Sequence, residues 1–164
     1  MGTYYIKQKI FSFRDRYFVY DQNEQPVYEV TGKFFSLGAQ LTISDLHGRE
    51  LYFIKQKLMS LFGAYEVYQG DVLCASIQRR ATFFKPKLEV DSDYGHFYIQ
   101  GDVFDYDFSI TKDGREVGNI QKKWFKLSDT YELSVDNDEN APFFIAMVIA
   151  IDNCLHNSNG GNNS

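Results

Sequence analysis

Apolar and polar residues alternate along most of this chain. Residues 39–43, 104–110 and 131–135 all show a period of two, which predicts β-strands with one buried and one exposed face. Turn sequences such as His47-Gly48 and Asp113-Gly114 separate such segments at short intervals. We therefore predict about twelve short strands.

A hairpin pattern occurs three times. Gly48-Arg49-Glu50-Leu51 recurs as Gly114-Arg115-Glu116-Val117. Each copy carries an isoleucine eleven residues before a tyrosine, and the pairs are Ile6/Tyr17, Ile54/Tyr65 and Ile120/Tyr131. The constant spacing predicts one hairpin geometry used three times within a meander. The period matches neither a propeller nor a solenoid.

The last apolar segment breaks this alternation. Residues 142–151 carry no polar side chain, Asn140 is a suitable helix cap, and Pro142 fits a first helical turn. A helix at about 141–155 that is apolar on all sides must be buried on all sides. The alternative interpretation is one more pair of buried strands.

A buried helix in a chain of strands indicates a mainly β fold: a closed barrel of about twelve strands around a central C-terminal helix. The helix would fill the barrel and leave no lipocalin-like ligand cavity, so a site would lie on the outer wall or at the ends. We expect residues 1–156 to form a single domain and residues 157–164 to be a disordered polar tail.

The chain resembles a known family. Gly48-Arg49-Glu50 precedes Ile54-x-x-Lys57, and the apolar helix follows Asp136-Asn137-Asp138-Glu139-Asn140. With the serial strands, these features are similar to the LURP-one-related family, in its bacterial YxjI-like branch, from about Tyr4 to Leu155. The resemblance implies a twelve-stranded barrel around a helix, shared with the tubby C-terminal domain and phospholipid scramblases. It implies no enzymatic chemistry, and those relatives act at phosphoinositide membranes or on phospholipids.

Charge and composition restrict the partners. Seventeen basic residues against 22 acidic residues give a net charge of −5, which argues against a nucleic-acid partner. No apolar run is long enough for a transmembrane helix, and the amino-terminal residues lack a signal-peptide pattern. Cys74 and Cys154 make no disulfide framework. We expect a cytoplasmic protein, peripheral at the membrane if it binds lipid.

Basic residues are the candidate ligand-binding residues. One group surrounds Phe83 and Phe84, and further lysines belong to the repeated hairpins. The full set is Arg79, Arg80, Lys85, Lys87, Lys55, Lys57 and Lys123. Such residues beside aromatic side chains fit an anionic headgroup site. The alternative is a solvated strand face on which lysines oppose aggregation.

Acidic residues and histidines give no metal or catalytic motif. Asp136–Asn140 has the oxygen spacing of a calcium loop but Ala141 and Met147 where that loop needs Gly and Glu, so we interpret it as a turn and helix cap. His47, His96 and His156 are dispersed along the chain. We predict no catalytic residues, no metal site and no cofactor.

Three functions remain open from the sequence. The first is a non-enzymatic module that recognises anionic phospholipid headgroups at the cytoplasmic membrane face. The second is a protein-interaction or scaffolding domain, with an exposed aromatic surface of Phe11, Phe35, Phe62 or Phe125. The third is a hydrolase or metal enzyme, which would need Asp102, Asp105 or Asp107 to converge with a histidine.

Overall fold

The structure is a computed structural model of the 164-residue chain. It describes residues 1–7, 14–35, 38–60, 63–80, 87–102, 106–125, 128–136 and 139–156. Only the backbone is described at residues 7, 14, 15, 34, 35, 124, 125, 128, 129 and 154–156.

Within the described residues, twelve strands precede one helix, as the alternation and the apolar segment predict. The strands are β1 (Gly2–Lys7), β2 (Arg14–Asp21), β3 (Pro26–Phe35), β4 (Gly38–Asp45), β5 (Glu50–Lys57), β6 (Ala64–Gln69), β7 (Val72–Arg80), β8 (Lys87–Ser92), β9 (Gly95–Asp102), β10 (Asp107–Lys112), β11 (Arg115–Phe125) and β12 (Ser128–Val135). The helix is α1 (Ala141–His156). The predicted helix at 141–155 is confirmed to within one residue.

The strands form a closed antiparallel barrel. Each strand pairs with its neighbours in sequence, and β1 pairs with β12 to complete the cylinder. Because successive strands alternate in direction, the connections fall at two ends. The turn end carries connections 22–25, 46–49, 70–71, 93–94, 113–114 and 136–140. The opposite end, where α1 finishes, we call the exit end.

The helix fills the barrel. Residues 143–153 of α1 are all buried. The Asn140 side chain caps the helix, since its Oδ1 accepts a hydrogen bond from the Phe143 backbone N–H at 3.3 Å. The Phe143 ring lies 4.8 Å from the Tyr94 ring and 5.9 Å from the Phe97 ring. This aromatic cluster anchors the start of the helix near the turn end, and the central helix is confirmed.

The three repeated hairpins share one register. In each, the isoleucine pairs with the residue thirteen positions later, and the pairs are Ile6/Val19, Ile54/Val67 and Ile120/Leu133. One hairpin geometry used three times is therefore confirmed. The β5–β6 and β11–β12 copies are six strands apart in a ring of twelve, so they lie on opposite sides of the barrel.

One predicted strand is shorter than its alternation suggests. The period of two begins at Phe104, but β10 begins at Asp107. Tyr106 has a φ of 48°, in the left-handed region that turns use. A turn residue at this point interrupts the alternation, while Phe104 and Asp105 lie outside the described residues.

Candidate functional site

The two ends of the barrel differ in charge. Acidic side chains concentrate in and beside the connections of the turn end, and the described ones are Asp21, Glu24, Asp45, Glu50, Asp71, Asp91, Asp93, Asp113, Glu116, Asp136 and Glu139. Basic side chains concentrate in the half of the wall nearer the exit end, and the described ones are Arg16, Lys33, Lys55, Lys57, Arg79, Arg80, Lys87, Lys122 and Lys123. Asp102 and Asp107 also lie at the exit end, and Arg49, Lys112 and Arg115 lie at the turn end. Four further glutamates lie near the middle of the wall: Glu29, Glu66, Glu89 and Glu132. With these residues included, the described side chains still give a net negative turn end and a net positive exit half.

A groove of about 490 Å³ lies at the exit end, across the end of β5, the start of β6 and the end of β7. We call it the rim groove, and it is lined by Lys57, Met59, Ser60, Ala64, Gln78, Arg79 and Arg80. Two predicted basic segments, at the ends of β5 and β7, meet here because β6 pairs with both strands. Three of the predicted site residues thus share one surface.

Within the rim groove, Lys57 and Arg80 belong to the outer wall. The Lys57 Nζ lies 3.0 Å from the Glu66 carboxylate, and the Arg80 guanidinium contacts the Glu89 carboxylate. Hydrogen bonds to the Glu66 carboxylate from Tyr68 and Lys57 lower the Glu66 pKa below its usual range. Both glutamates lie nearer the middle of the wall, so the cations are nearest the exit end.

Arg79 has the opposite orientation to Arg80. It pairs with Leu88 and shares the inward-facing positions of β7 with Ile77. Successive strand residues point to opposite faces, so the two arginines reach the rim groove from the barrel's inner and outer faces.

Met59 projects beside these cations. Met59 is 99% exposed, and Leu58 is 54% exposed. Both lie in the connection between β5 and β6. Neither residue was among the predicted site residues, although two apolar residues in a turn after Lys57 are a sequence signal of a contact surface.

The other predicted basic residues are spread more widely. Lys87 pairs with Arg80, and its Nζ lies 4.2 Å from the centre of the Tyr98 ring. Lys55 is exposed on β5, between Gln40 and Glu66. Lys123 contacts Glu132 at 3.3 Å on the far side of the barrel. Lys85, Phe83 and Phe84 lie outside the described residues.

A second groove, of about 280 Å³, lies on the outer wall across β2, β3, β4 and β5. We call it the wall groove, and it is lined by Arg16, Thr31, Gly32, Lys33, Gln40, Thr42 and Phe53. Its basic residues, Arg16 and Lys33, were not among the sequence candidates. They lie on different strands, and the pairing of β2 with β3 brings them together.

Among the side chains that the structure describes, the acidic candidates Asp102 and Asp107 do not converge with a histidine, and the side chain of His156 is not among them. Asp102 and Asp107 pair across β9 and β10 at the exit end, whereas His96 lies at the turn end, where its Nε2 is 3.2 Å from Glu89. His47 is in a connection of the turn end, and Asp105 lies outside the described residues. In the part of the chain that the structure describes, no group of three or more His, Cys, Asp or Glu could hold a metal ion.

The segment proposed as a turn and helix cap has that role. The Glu139 backbone N–H donates to the Asp136 carbonyl at 3.1 Å, and Asn140 caps α1. Lys112 contacts Glu139 at 3.1 Å and Arg115 contacts Asp136 at 3.8 Å. These carboxylates are thus occupied by cations of neighbouring turns.

The aromatic side chains proposed to contact a protein partner lie outside the part of the chain whose side chains the structure describes. Phe11 and Phe62 lie outside the described residues, and only the backbone of Phe35 and Phe125 is described. Cys74 is buried, and burial raises the pKa of its thiol. Among the described helical residues there is no span long and apolar enough to cross a bilayer.

Comparisons with known proteins show which proteins are similar to this chain in fold and in sequence. A solved structure of an Arabidopsis thaliana protein superposes with a TM-score of 0.69 at 15% identity, over 93% of this chain and 90% of that one, so the two share a fold. A Bacillus subtilis (strain 168) protein described as uncharacterized protein YxjI is 37% identical over 154 residues, 93% of each chain. The LURP-one-related family model matches residues 3–152. The chain therefore belongs to the LURP-one-related family.

Proposed function

We propose that this protein is a non-enzymatic binding module that docks on an anionic phospholipid surface, at the cytoplasmic face of the membrane, through its exit end. Residues 1–156 would act as one domain in this role. The observation that carries the proposal is the rim groove, which Lys57, Arg79 and Arg80 line together with the exposed Met59.

The chemistry of the rim groove suits a membrane interface. Each basic side chain near an anionic surface contributes about 1 kcal/mol. Transferring a Met side chain out of water contributes up to about 1.5–3 kcal/mol when burial is complete. Neither contribution alone gives stable binding, but both act in the same place and direction.

The charge distribution supports this orientation. The chain's net charge of −5 would oppose contact with an anionic surface if it were spread evenly. Most of the negative charge of the described residues lies at the turn end instead, whereas the carboxylates beside the rim groove, Glu66 and Glu89, are paired with Lys57 and Arg80. An anionic surface would then attract the exit end and repel the turn end, which orients the docked protein.

Vesicle co-sedimentation tests the proposal. The protein should bind phosphatidylcholine vesicles containing phosphatidylglycerol at low salt, bind pure phosphatidylcholine much more weakly, and dissociate as salt is raised. Lys57→Glu combined with Arg80→Glu should weaken binding at least about tenfold. The matched control combines Arg49→Glu with Arg115→Glu, two exposed, ion-paired arginines of the turn end, and should bind as the wild type does.

A second pair isolates the apolar contribution. Met59→Ser should weaken vesicle binding severalfold, whereas Leu46→Ser, at a 49% exposed leucine of the turn end, should not. The proposal fails if wild-type protein shows no dependence on anionic lipid. It also fails if the variants of both ends lose binding equally, since net charge alone would then explain the result.

A further inference from the structure

We propose that the wall groove is a separate binding site for a phosphate monoester group carried by a small polyol. Its residues lie on β2 to β5, whereas the rim groove lies on β5 to β7. The proposal does not rest on membrane docking, because a soluble ligand could reach the wall groove equally well.

Strand register creates the depression. Arg16 pairs with Thr31, Thr31 with Thr42, and Thr42 with Phe53, so these four residues form one row across the outer wall. Two short threonines in the middle of the row stand between a long arginine and an aromatic ring. The row is therefore low in its centre and high at both sides.

A second row adds positive charge on the exit side. Lys33 pairs with Gln40, and Gln40 with Lys55. With strands about 4.8 Å apart, the two lysine backbones are separated by roughly 10 Å. Their ammonium groups can both reach a phosphate above Gln40, since each has a flexible four-carbon stem.

Arg16 is held in place at the edge of the groove. Its Nη2 donates to Glu29 at 3.0 Å and its Nε contacts the same carboxylate, while the guanidinium carbon lies 5.8 Å from the centre of the Phe18 ring. A guanidinium has five N–H donors, so donors remain for a ligand after the Glu29 pair is made. The pair fixes the orientation of the guanidinium beforehand, which reduces the entropy lost on binding.

The lining selects for an anion with several acceptor oxygens. Arg16 and Lys33 supply charged donors, and Gln40, Thr31 and Thr42 supply an amide and hydroxyls. None of the lining residues is acidic. A phosphate monoester carries about −1.5 to −2 charge at pH 7 and three strong acceptor oxygens, which matches this donor set.

The volume and lining of the wall groove restrict the molecule that carries the phosphate group. Ligand pockets for drug-sized molecules occupy about 300–1,000 Å³, so the 280 Å³ wall groove fits a phosphorylated polyol better than a nucleotide. The Phe53 ring, 6.3 Å from the Tyr68 ring, provides an apolar wall for the carbon skeleton. The same group occurs on soluble metabolites and on the headgroup of phosphatidic acid, and the experiment separates these sources.

Titration calorimetry with sn-glycerol 3-phosphate tests the soluble source. Thr42→Phe should fill the groove and Lys33→Gln should remove a cation, each weakening binding at least tenfold. Thr111→Phe on β10 and Lys123→Gln on β11 place matched changes on the opposite half of the barrel and should leave binding unchanged. Thermal unfolding of each variant shows whether the fold is retained. If Thr42→Phe does not fold, Lys33→Gln alone tests the wall groove.

Vesicles test the lipid source. Phosphatidylcholine vesicles with phosphatidic acid are compared with phosphatidylglycerol vesicles of the same surface potential. We expect the wild type to prefer phosphatidic acid, Thr42→Phe to lose this preference, and the double variant Lys57→Glu with Arg80→Glu to keep it. That result supports the wall groove even if the rim groove does not dock on membranes. The proposal is overturned if the wild type shows neither saturable glycerol 3-phosphate binding nor this preference, or if the groove variants bind like the wild type.

Discussion

At the turn end, acidic side chains build the connections themselves. Asp21 accepts hydrogen bonds from the backbone N–H groups of Asn23 and Gln25, and Asp45 does the same for His47 and Arg49. These bonds lower the pKa of both carboxyls. At the exit end, the described cations Lys57 and Arg80 lie at strand ends and pair with glutamates of the neighbouring strands. The carboxylates of Asp21 and Asp45 thus organise turns, whereas Lys57 and Arg80 make ion pairs across strands.

The ion pairs on the outer wall share one arrangement. Arg16–Glu29, Lys57–Glu66, Arg80–Glu89 and Lys123–Glu132 all join neighbouring strands, and in each pair the glutamate lies nearer the middle of the barrel. Exposed ion pairs of this kind contribute about 0–1 kcal/mol each. They are too weak to explain the basic end as a stabilising device, which favours a binding role for its cations.

The largest expected effect is on stability, and it compares the packing of the helix at the turn end with its packing near the exit end. Phe143→Ala removes the ring that packs on Tyr94 and Phe97, and should lower the free energy of unfolding by about 3–5 kcal/mol. Tyr131→Phe removes a hydroxyl that donates to the buried Asp152 near the exit end, and should cost about 1–3 kcal/mol. Urea unfolding measures both. A larger loss for Tyr131→Phe would show that the exit end anchors the helix.

A smaller effect concerns the glutamates beside the rim groove. Glu66→Gln with Glu89→Gln removes the carboxylates that pair with Lys57 and Arg80, and should tighten binding to phosphatidylglycerol vesicles up to about tenfold. Asp71→Asn with Asp113→Asn makes the same charge change at the turn end. Equal tightening in both double variants would mean that net charge, and not the position of the charge, governs binding.

The smallest expected effect is on the pH dependence of the free energy of unfolding. The Glu66 pKa is lower in the folded protein than its reference value of 4.5, so this group stabilises the fold above that value and loses its contribution as pH falls through the lowered pKa. The stability difference between wild type and Glu66→Gln should therefore be present at pH 6 and shrink towards pH 3, as measured by urea unfolding. A difference that is constant with pH would contradict the ion-pair origin of the shift.

The predictable part of the site was local. Lys55 and Lys57 alternate with Ile54, so their outward orientation follows from the period of two, and the exposure of both agrees. The same rule separates Arg79 from Arg80, which the sequence analysis grouped as one stretch. Met59 was readable as an apolar turn residue but was not singled out.

The unpredictable part depended on which strands become neighbours. Lys123 repeats the position of Lys57 in sequence, yet barrel closure places the two on opposite sides. Arg16 and Lys33 carry no motif, and they form a groove with Phe53 only because β2, β3, β4 and β5 pair in one register.

The sequence by itself determined the twelve strands, the buried helix and the hairpin register, because periodicity, turn residues and helix capping act over a few neighbouring residues. Tertiary structure alone decided the two grooves and the separation of charge between the ends. Those features arise from side chains on consecutive strands that lie side by side, and their distances are set by the strand register and by the closure of the barrel around the helix.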